Sequence, residues 1–431
     1  MNNARDYALL RLDQKTLPGW APRRLHPKFA SAIGEPTDSR DRALAEQIET
    51  GIVKNLLQLQ HLTQQFADRP LAKIHPVLQK ILAIAIYQLR FLDRVRPAAA
   101  VDEAVEQTKR FGLAHARGFV NALLRKAAAT AKDPLPPSED PVEQARLQYS
   151  HPQELFERLE ALLDTERALE ICRHNNAEPP TIARLAPGKT AADLEAAGFF
   201  FLPHTQPGMV VLVGADKATI SRLVDLQLAQ IQDPTSASVI AAADIRPNMT
   251  VLDRCAGMGT KTIQALELTG TSATIVAIDP ARARCEALLR TLVARQASNV
   301  RVIQSDRFPR GNPDVPQQFQ RVLVDVPCSN SGVLARRPEA RYFQTDDALK
   351  DLVELQRAIL ADSVSCVASG GLLIYSTCSL WSEENQQVIQ WLLNEFPRLE
   401  ILRDQTTLPQ SGPDPTTYRD GGYYAILQRP A

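Results

Sequence analysis

From Val251 onward the chain alternates short apolar runs with helical patterns, and no other feature constrains its fold as tightly. The runs fall at 250–252, 274–278, 300–303, 321–326 and 371–375, and the helical patterns at 260–268, 282–296, 347–368 and 383–396. Strand, turn and helix repeated in this way predict a doubly wound, mostly parallel sheet, whose strands read as continuous apolar runs because helices cover both faces. Ligands of such sheets bind beyond the carboxyl ends of the strands, so residues there are the first functional candidates. Tyr423–Leu427 predicts a late strand, for which an antiparallel course is one option.

The N-terminal third has a different pattern. Apolar residues recur at spacings of three and four in Ile48, Ile52, Leu56, Leu59, in Val77, Ile81, Ile84, Leu89 and in Val101, Val105, Phe119, Leu123, so 41–130 is expected to be all helix. Four prolines between Lys132 and Pro141 predict a linker. Residues 141–235 mix helical stretches at 152–163, 165–175 and around 219–229 with a strand at 209–213, as expected of a small α/β connector. The chain of 431 residues is too long for one ordinary core, and the expected parts are 1–131, 141–235 and 236–431. Net charge is zero, but residues 1–130 carry an excess of eight positive charges and the remainder an excess of eight negative ones. The N-terminal part is thus the expected contact for a polyanion, although a solvated helical surface accounts for the excess equally well.

No apolar run approaches the ~18 residues of a membrane span, and the first thirty residues lack the apolar core of a signal peptide, so a cytoplasmic location is expected. The six cysteines include no CxxC pair and suit a reducing compartment rather than a disulfide framework or a metal cage.

The first turn of the repeating region reads Asp253-Arg-Cys-Ala-Gly-Met-Gly-Thr-Lys-Thr262. Gly257 and Gly259 let backbone approach a ligand, and the next run ends in Asp279, placed for ribose hydroxyls. Asp306 and Asp325 follow the third and fourth runs, so with Asp253 four acids line successive strand ends. A phosphate loop needs glycine where Thr260 stands, and a dinucleotide loop needs glycine where Thr262 stands. A ring of carboxylates also repels pyrophosphate, whereas it suits a cationic, ribose-bearing cofactor such as S-adenosylmethionine.

Two further runs end in cysteine: Asp325-Val-Pro-Cys328-Ser and Tyr375-Ser-Thr-Cys378-Ser. All seven histidines lie at or before His204, which excludes a Cys-His hydrolase built within the C-terminal half. Beside a methyl donor, a thiolate has a specific use: addition to carbon 6 of a pyrimidine makes carbon 5 nucleophilic enough to take a methyl group. Removal of the carbon 5 proton and expulsion of the thiolate must follow, so one cysteine attacks and a second can assist release. Asp325 is placed to hydrogen-bond the polar edge of the base. Ser382-Glu-Glu-Asn385 predicts a helix start with acids in its first turn, and Arg336, Arg337 and Arg341 form a basic cluster suited to phosphates beside a flipped nucleotide. Cys172, Cys285 and Cys366, within helical patterns, read as small buried hydrophobes.

Asp-Val-Pro-Cys-Ser-Asn-Ser-Gly at 325–332, Ser-Thr-Cys-Ser at 376–379 with Glu-Glu-Asn at 383–385, and the 253–262 turn resemble the signatures of the NOL1/NOP2/Sun family of RNA cytosine-5 methyltransferases. Ala85-Ile-Tyr-Gln-Leu, Pro97-Ala-Ala-Ala-Val-Asp-Glu-Ala-Val and Phe119-Val-Asn-Ala-Leu-Leu-Arg resemble a NusB-like RNA-binding domain, and with Tyr149-Ser-His-Pro and Gln232-Asp-Pro-Thr-Ser the resemblance covers nearly the whole chain. It implies an all-α NusB-like domain, a small α/β connector and a Rossmann-like methyltransferase. It further implies Cys378 as nucleophile, Cys328 as the residue aiding release, and Asp325 between cofactor and base. The cofactor, S-adenosyl-L-methionine, would take its methionine part against Cys255, Ala256, Gly257, Met258, Gly259, Thr260 and Lys261, its ribose against Asp279 and its adenine near Asp306. This chain departs from the family pattern at Arg254, Met258, Thr260, Val326, Asn330 and Ser331, and at neither cysteine.

The expectation is methylation of a cytosine in 16S ribosomal RNA by a monomer that uses neither membrane nor metal. A transfer RNA or another ribosomal site is the rival target, and a non-catalytic RNA-binding assembly factor is the rival class.

Overall fold

The computed structural model describes residues 3–20, 22, 24–130, 135 and 139–431. Two compact units emerge, Met1–Asn176 with Pro338–Tyr342, and Ala177–Arg337 with Phe343–Ala431. The divide therefore lies between Asn176 and Ala177, whereas the sequence suggested boundaries near 131–141 and 235. The proline-rich linker expected over 132–140 lies largely outside the described residues.

The first unit is helical, as the three-four spacing requires. Helices Ser39–Lys54, Leu56–Phe66, Pro76–Phe91, Pro97–Arg110 and Arg117–Thr130 bury their apolar faces in one core. An additional helix, Ala4–Asp13, is capped by Asn3, whose side chain accepts from the amides of Arg5 and Asp6. Helices Pro141–Tyr149, Gln153–Leu162 and Thr165–Asn176 belong to this unit rather than to a separate connector.

The second unit holds two sheets. The smaller comprises β1 (Thr181–Leu185), β2 (Phe201–Pro203), β3 (Met209–Leu212) and β4 (Ala229–Ile231), in the order β2-β3-β1-β4 with every pairing antiparallel.

The larger sheet comprises β5 (Thr250–Asp253), β6 (Thr274–Asp279), β7 (Val300–Gln304), β8 (Phe319–Asp325), β9 (Val367–Thr377), β10 (Glu400–Thr407) and β11 (Gly422–Gln428). Its order is β10-β11-β9-β8-β5-β6-β7, parallel from β9 to β7, with β11 antiparallel to both neighbours. Period-two alternation sends Leu252, Val276, Val322, Val324 and Leu373 to one face, and Val251, Ile275, Ala277, Leu323 and Ile374 to the other. Both faces are buried under helices, which is why these strands read as unbroken apolar runs. The strand order reverses between β5 and β8, and their carboxyl ends open the crevice in which such sheets bind ligands.

Candidate active site

Asp253 is the last residue of β5 and is buried. Its Oδ2 accepts from Thr262 Oγ1 at 2.6 Å, while Oδ1 has no partner among the described residues. Burial pushes its carboxyl up to about 6. The chain then turns through Gly257 (φ 57°) and Gly259 (φ 91°) into the helix Thr260–Thr269. A Cβ at Gly259 would lie 2.2 Å from Leu288 Cδ1, so both its backbone and its space require glycine.

Lys261, at the start of this helix, places Nζ 2.7 Å from Asp325 Oδ2 at the end of β8. Burial opposes its ammonium, but Asp325 together with Asp253 and Cys378 outweighs burial and raises its pKa. Ser376 Oγ donates to the other Asp325 oxygen at 2.6 Å. The turn, Asp253, Asp325 and Lys261 line a cavity of about 360 Å³.

Asp279 ends β6 as expected and holds the turn from behind, accepting from Gly257 N at 2.9 Å and Ala281 N at 2.8 Å, with Arg284 Nε at 3.0 Å. Asp306 is exposed beyond β7. Neither lines the cavity, so the structure gathers the turn and Asp325 but leaves these two acids at its margin. Arg254, one of the departures from the family pattern noted above, has a defined task. Its Nη2 donates to the Asp306 carbonyl at 2.6 Å and to Asp362 Oδ2 at 3.1 Å, which pins the chain leaving β7.

The two cysteines meet. Cys328 Sγ and Cys378 Sγ are 2.7 Å apart, and the Cys378 amide donates to Cys328 Sγ at 3.3 Å. The hydrogen bond with Cys378 and burial together hold the Cys328 thiol well above its ordinary value, so it remains protonated at neutral pH. Asn330 stands in left-handed backbone (φ 60°) with its amide on both: Nδ2 donates to the Cys328 carbonyl at 3.0 Å and Oδ1 accepts from Cys378 Sγ at 3.3 Å.

Beneath them lies Glu384, which the sequence suggested for a helical first turn. The helix instead starts at Gln386, and Glu384 is fully buried. Its carboxylate accepts from Ser329 N, Ser329 Oγ, Ser379 Oγ and Gln356 Nε2, so one side chain joins both cysteine loops. Glu-Glu-Asn beside Ser-Thr-Cys-Ser was visible in the sequence, but its acceptor role was not, because Ser329 and Gln356 are remote along the chain.

Cys378 lines a second cavity of about 260 Å³. Its lining shares Asp233, Ser236, Lys261, Asp325, Arg336 and Asp420 with the first cavity, so these residues form the partition between turn and thiol. The expected basic cluster is not a unit. Arg341 is fully buried in the helical unit and cannot meet a phosphate, and Arg336 is ion-paired with Asp420 at 2.6 Å. Of the three, Arg336 and Arg337 line the second cavity.

Residues 240–418 match the model of the 16S rRNA methyltransferase RsmB/F family, and residues 2–129 match the NusB family. A probable ribosomal RNA small subunit methyltransferase B of Synechocystis sp. is 30% identical over 416 residues, covering 91% of this chain and 92% of its own. This chain belongs to the RsmB/F family. A Bacillus subtilis relative described in the same words is 28% identical over 370 residues, covering 84% of this chain and 82% of its own. The crystal structure of PH0851 shares the fold over 99% of both chains, with a TM-score of 0.76 at 21% identity. The RsmB/F match spans both cysteine loops, the 253–262 turn and β5 to β9.

Proposed function

We propose that this chain methylates carbon 5 of a cytosine in 16S ribosomal RNA, using S-adenosyl-L-methionine and a covalent adduct to Cys378. The supporting observation is the shared partition: one cavity ends at Cys378, the other at the glycine turn, and Lys261 with Asp325 faces both. The relatives' descriptions supply small-subunit ribosomal RNA as target.

The residues present fit the cofactor. Asp253 Oδ1 is a buried oxygen on the cavity wall without a partner among the described residues, and it suits the ammonium of an amino-acid-bearing ligand. When bound there, S-adenosylmethionine supplies an electrophilic methyl group. Cys378 Sγ adds to carbon 6 of the base, and carbon 5 becomes the nucleophile. Asp325, oriented by Lys261 and Ser376, hydrogen-bonds the polar edge of the ring as electrons enter it. Cys328, held as a thiol next to the attacking sulfur, donates a hydrogen bond to that sulfur as it departs.

The test uses 16S rRNA and labelled cofactor with two variants. Cys378→Ala is expected to abolish transfer, and Cys328→Ala to leave a protein–RNA complex that survives denaturing electrophoresis. The opposite pattern would exchange the two roles, and no methylcytosine with the intact chain would overturn the reaction. Bisulfite sequencing of RNA from cells with and without the gene then locates the cytosine.

A further inference from the structure

The reaction releases a proton from carbon 5, and the cysteine pair does not account for its removal. Cys328, beside the Cys378 sulfur, serves in the reading above as the donor to that sulfur as it departs, so the acceptor of the proton is sought elsewhere. Three carboxylates line the cavity that contains Cys378. Asp325 is paired with Lys261 at 2.7 Å and accepts from Ser376. Asp420 is paired with Arg336 at 2.6 Å and accepts from Tyr418 OH at 3.0 Å. Asp233, from the Gln232-Asp-Pro-Thr-Ser stretch, lies 3.6 Å from Arg336 and, among the described residues, otherwise accepts only from the amides of Thr235 at 2.9 Å and Asp420 at 3.1 Å. It also lines both cavities, on the partition crossed by the methyl group.

We propose that Asp233 is the base that takes the carbon 5 proton after methyl transfer. The inference rests on the cytosine-5 reading above. In this step the C5–H bond breaks and its proton passes to an Asp233 oxygen. The electron pair forms the C5–C6 double bond, the C6–Sγ bond breaks, and its pair returns to Cys378 as thiolate. Each carboxylate oxygen has a second lone pair, so capping the helix Pro234–Ala242 through the Thr235 amide leaves capacity for the proton.

The surroundings suit that task. Burial and the negative charge of Asp420 push Asp233 up to about 7, against the opposing charge of Arg336, and a base is most effective near the working pH. Facing it are Asp420 and Arg336, Tyr418 through Asp420, and Lys261 with Asp325 on the partition.

Asp233→Asn separates this role from capping, because asparagine caps a helix as well as aspartate. With 16S rRNA and cofactor, the variant should accumulate a covalent complex whose base already carries the labelled methyl group. Its resolution should slow by about a hundredfold or more, the usual worth of a positioned base, with KM close to that of the intact protein and a melting temperature no lower. Resolution by the intact protein should slow as pH falls below about 7, and the variant should lose that dependence. Asp233→Ser, a second capping variant, should behave in the same way. Normal turnover without accumulated methylated complex in both variants would overturn the assignment, as would an acid limb that persists in them. If the intact protein forms no methylcytosine, the parent reading fails first and this inference with it.

Discussion

At the scale of single residues, the site holds groups whose burial opposes stability. Asp253 carries the clearest case. Unfolded, its carboxyl ionises near 3.8, and in the fold only near 6, so stability falls as pH rises from 3.8 to 6 and the full penalty persists above. Asp253→Asn should therefore stabilise the cofactor-free protein at pH 7.5 by on the order of 2 kcal/mol. Cofactor affinity should fall in the same variant, because the unpaired Oδ1 loses its charge. Thermal melts with and without S-adenosylmethionine check both signs, and a variant that melts lower without cofactor would refute the first. Both cysteines were legible in the sequence because each directly follows an apolar run. Glu384 was not, because three of its four donors, Ser329 N, Ser329 Oγ and Gln356 Nε2, lie far from it along the chain.

At the scale of elements, legibility follows burial on two faces. β5, β6, β8, β9 and β11 announced themselves through buried apolar runs, and the edge strand β7 through Val300, Val302 and Ile303 although none of them is fully buried, whereas β10, the other edge, is exposed along nearly all its length and offers only Ile401 and Leu402 among polar residues. β1, β2 and β4 are three to five residues long and give too short a period to read. The loops that follow β8 and β9 depend on Glu384 for their mutual position. Glu384→Ala leaves the donors on Ser329, Ser379 and Gln356 without their shared acceptor, and buried donors of this kind cost about 1–3 kcal/mol each before relaxation. The expected result is a melting temperature lower by several degrees, together with a larger loss in adduct formation than in cofactor binding. Equal losses in both would mean that the clamp supports the whole unit rather than the cysteine loops.

For the molecule as a whole, the N-terminal helices complete their core with a segment that lies far away in sequence. Pro338–Tyr342 belongs to the helical unit, where Arg341 donates to the carbonyls of Lys54, Tyr149 and Asn175 and to Asn176 Oδ1, and Tyr342 OH donates to Val53 O at 2.7 Å. Sequence reasoning assigned Arg341 to phosphate because charge along the chain does not disclose burial. Burial lowers its pKa, and its donors satisfy acceptors that would otherwise be dry. Arg341→Met keeps most of the apolar stem but removes the Arg341 donors from these four acceptors, of which Tyr149 O retains His151 Nδ1 at 2.8 Å. Each buried acceptor left without a donor costs about 1–3 kcal/mol before relaxation, so the helical unit should loosen measurably. Hydrogen exchange on the full chain locates the effect: amides of Pro141–Tyr149 and Thr165–Asn176 should exchange faster, while those of β5, β6 and β8 stay protected. Uniform acceleration in the sheet strands as well would show that the segment stabilises both units and that its place in the helical core is not the main reason for its conformation.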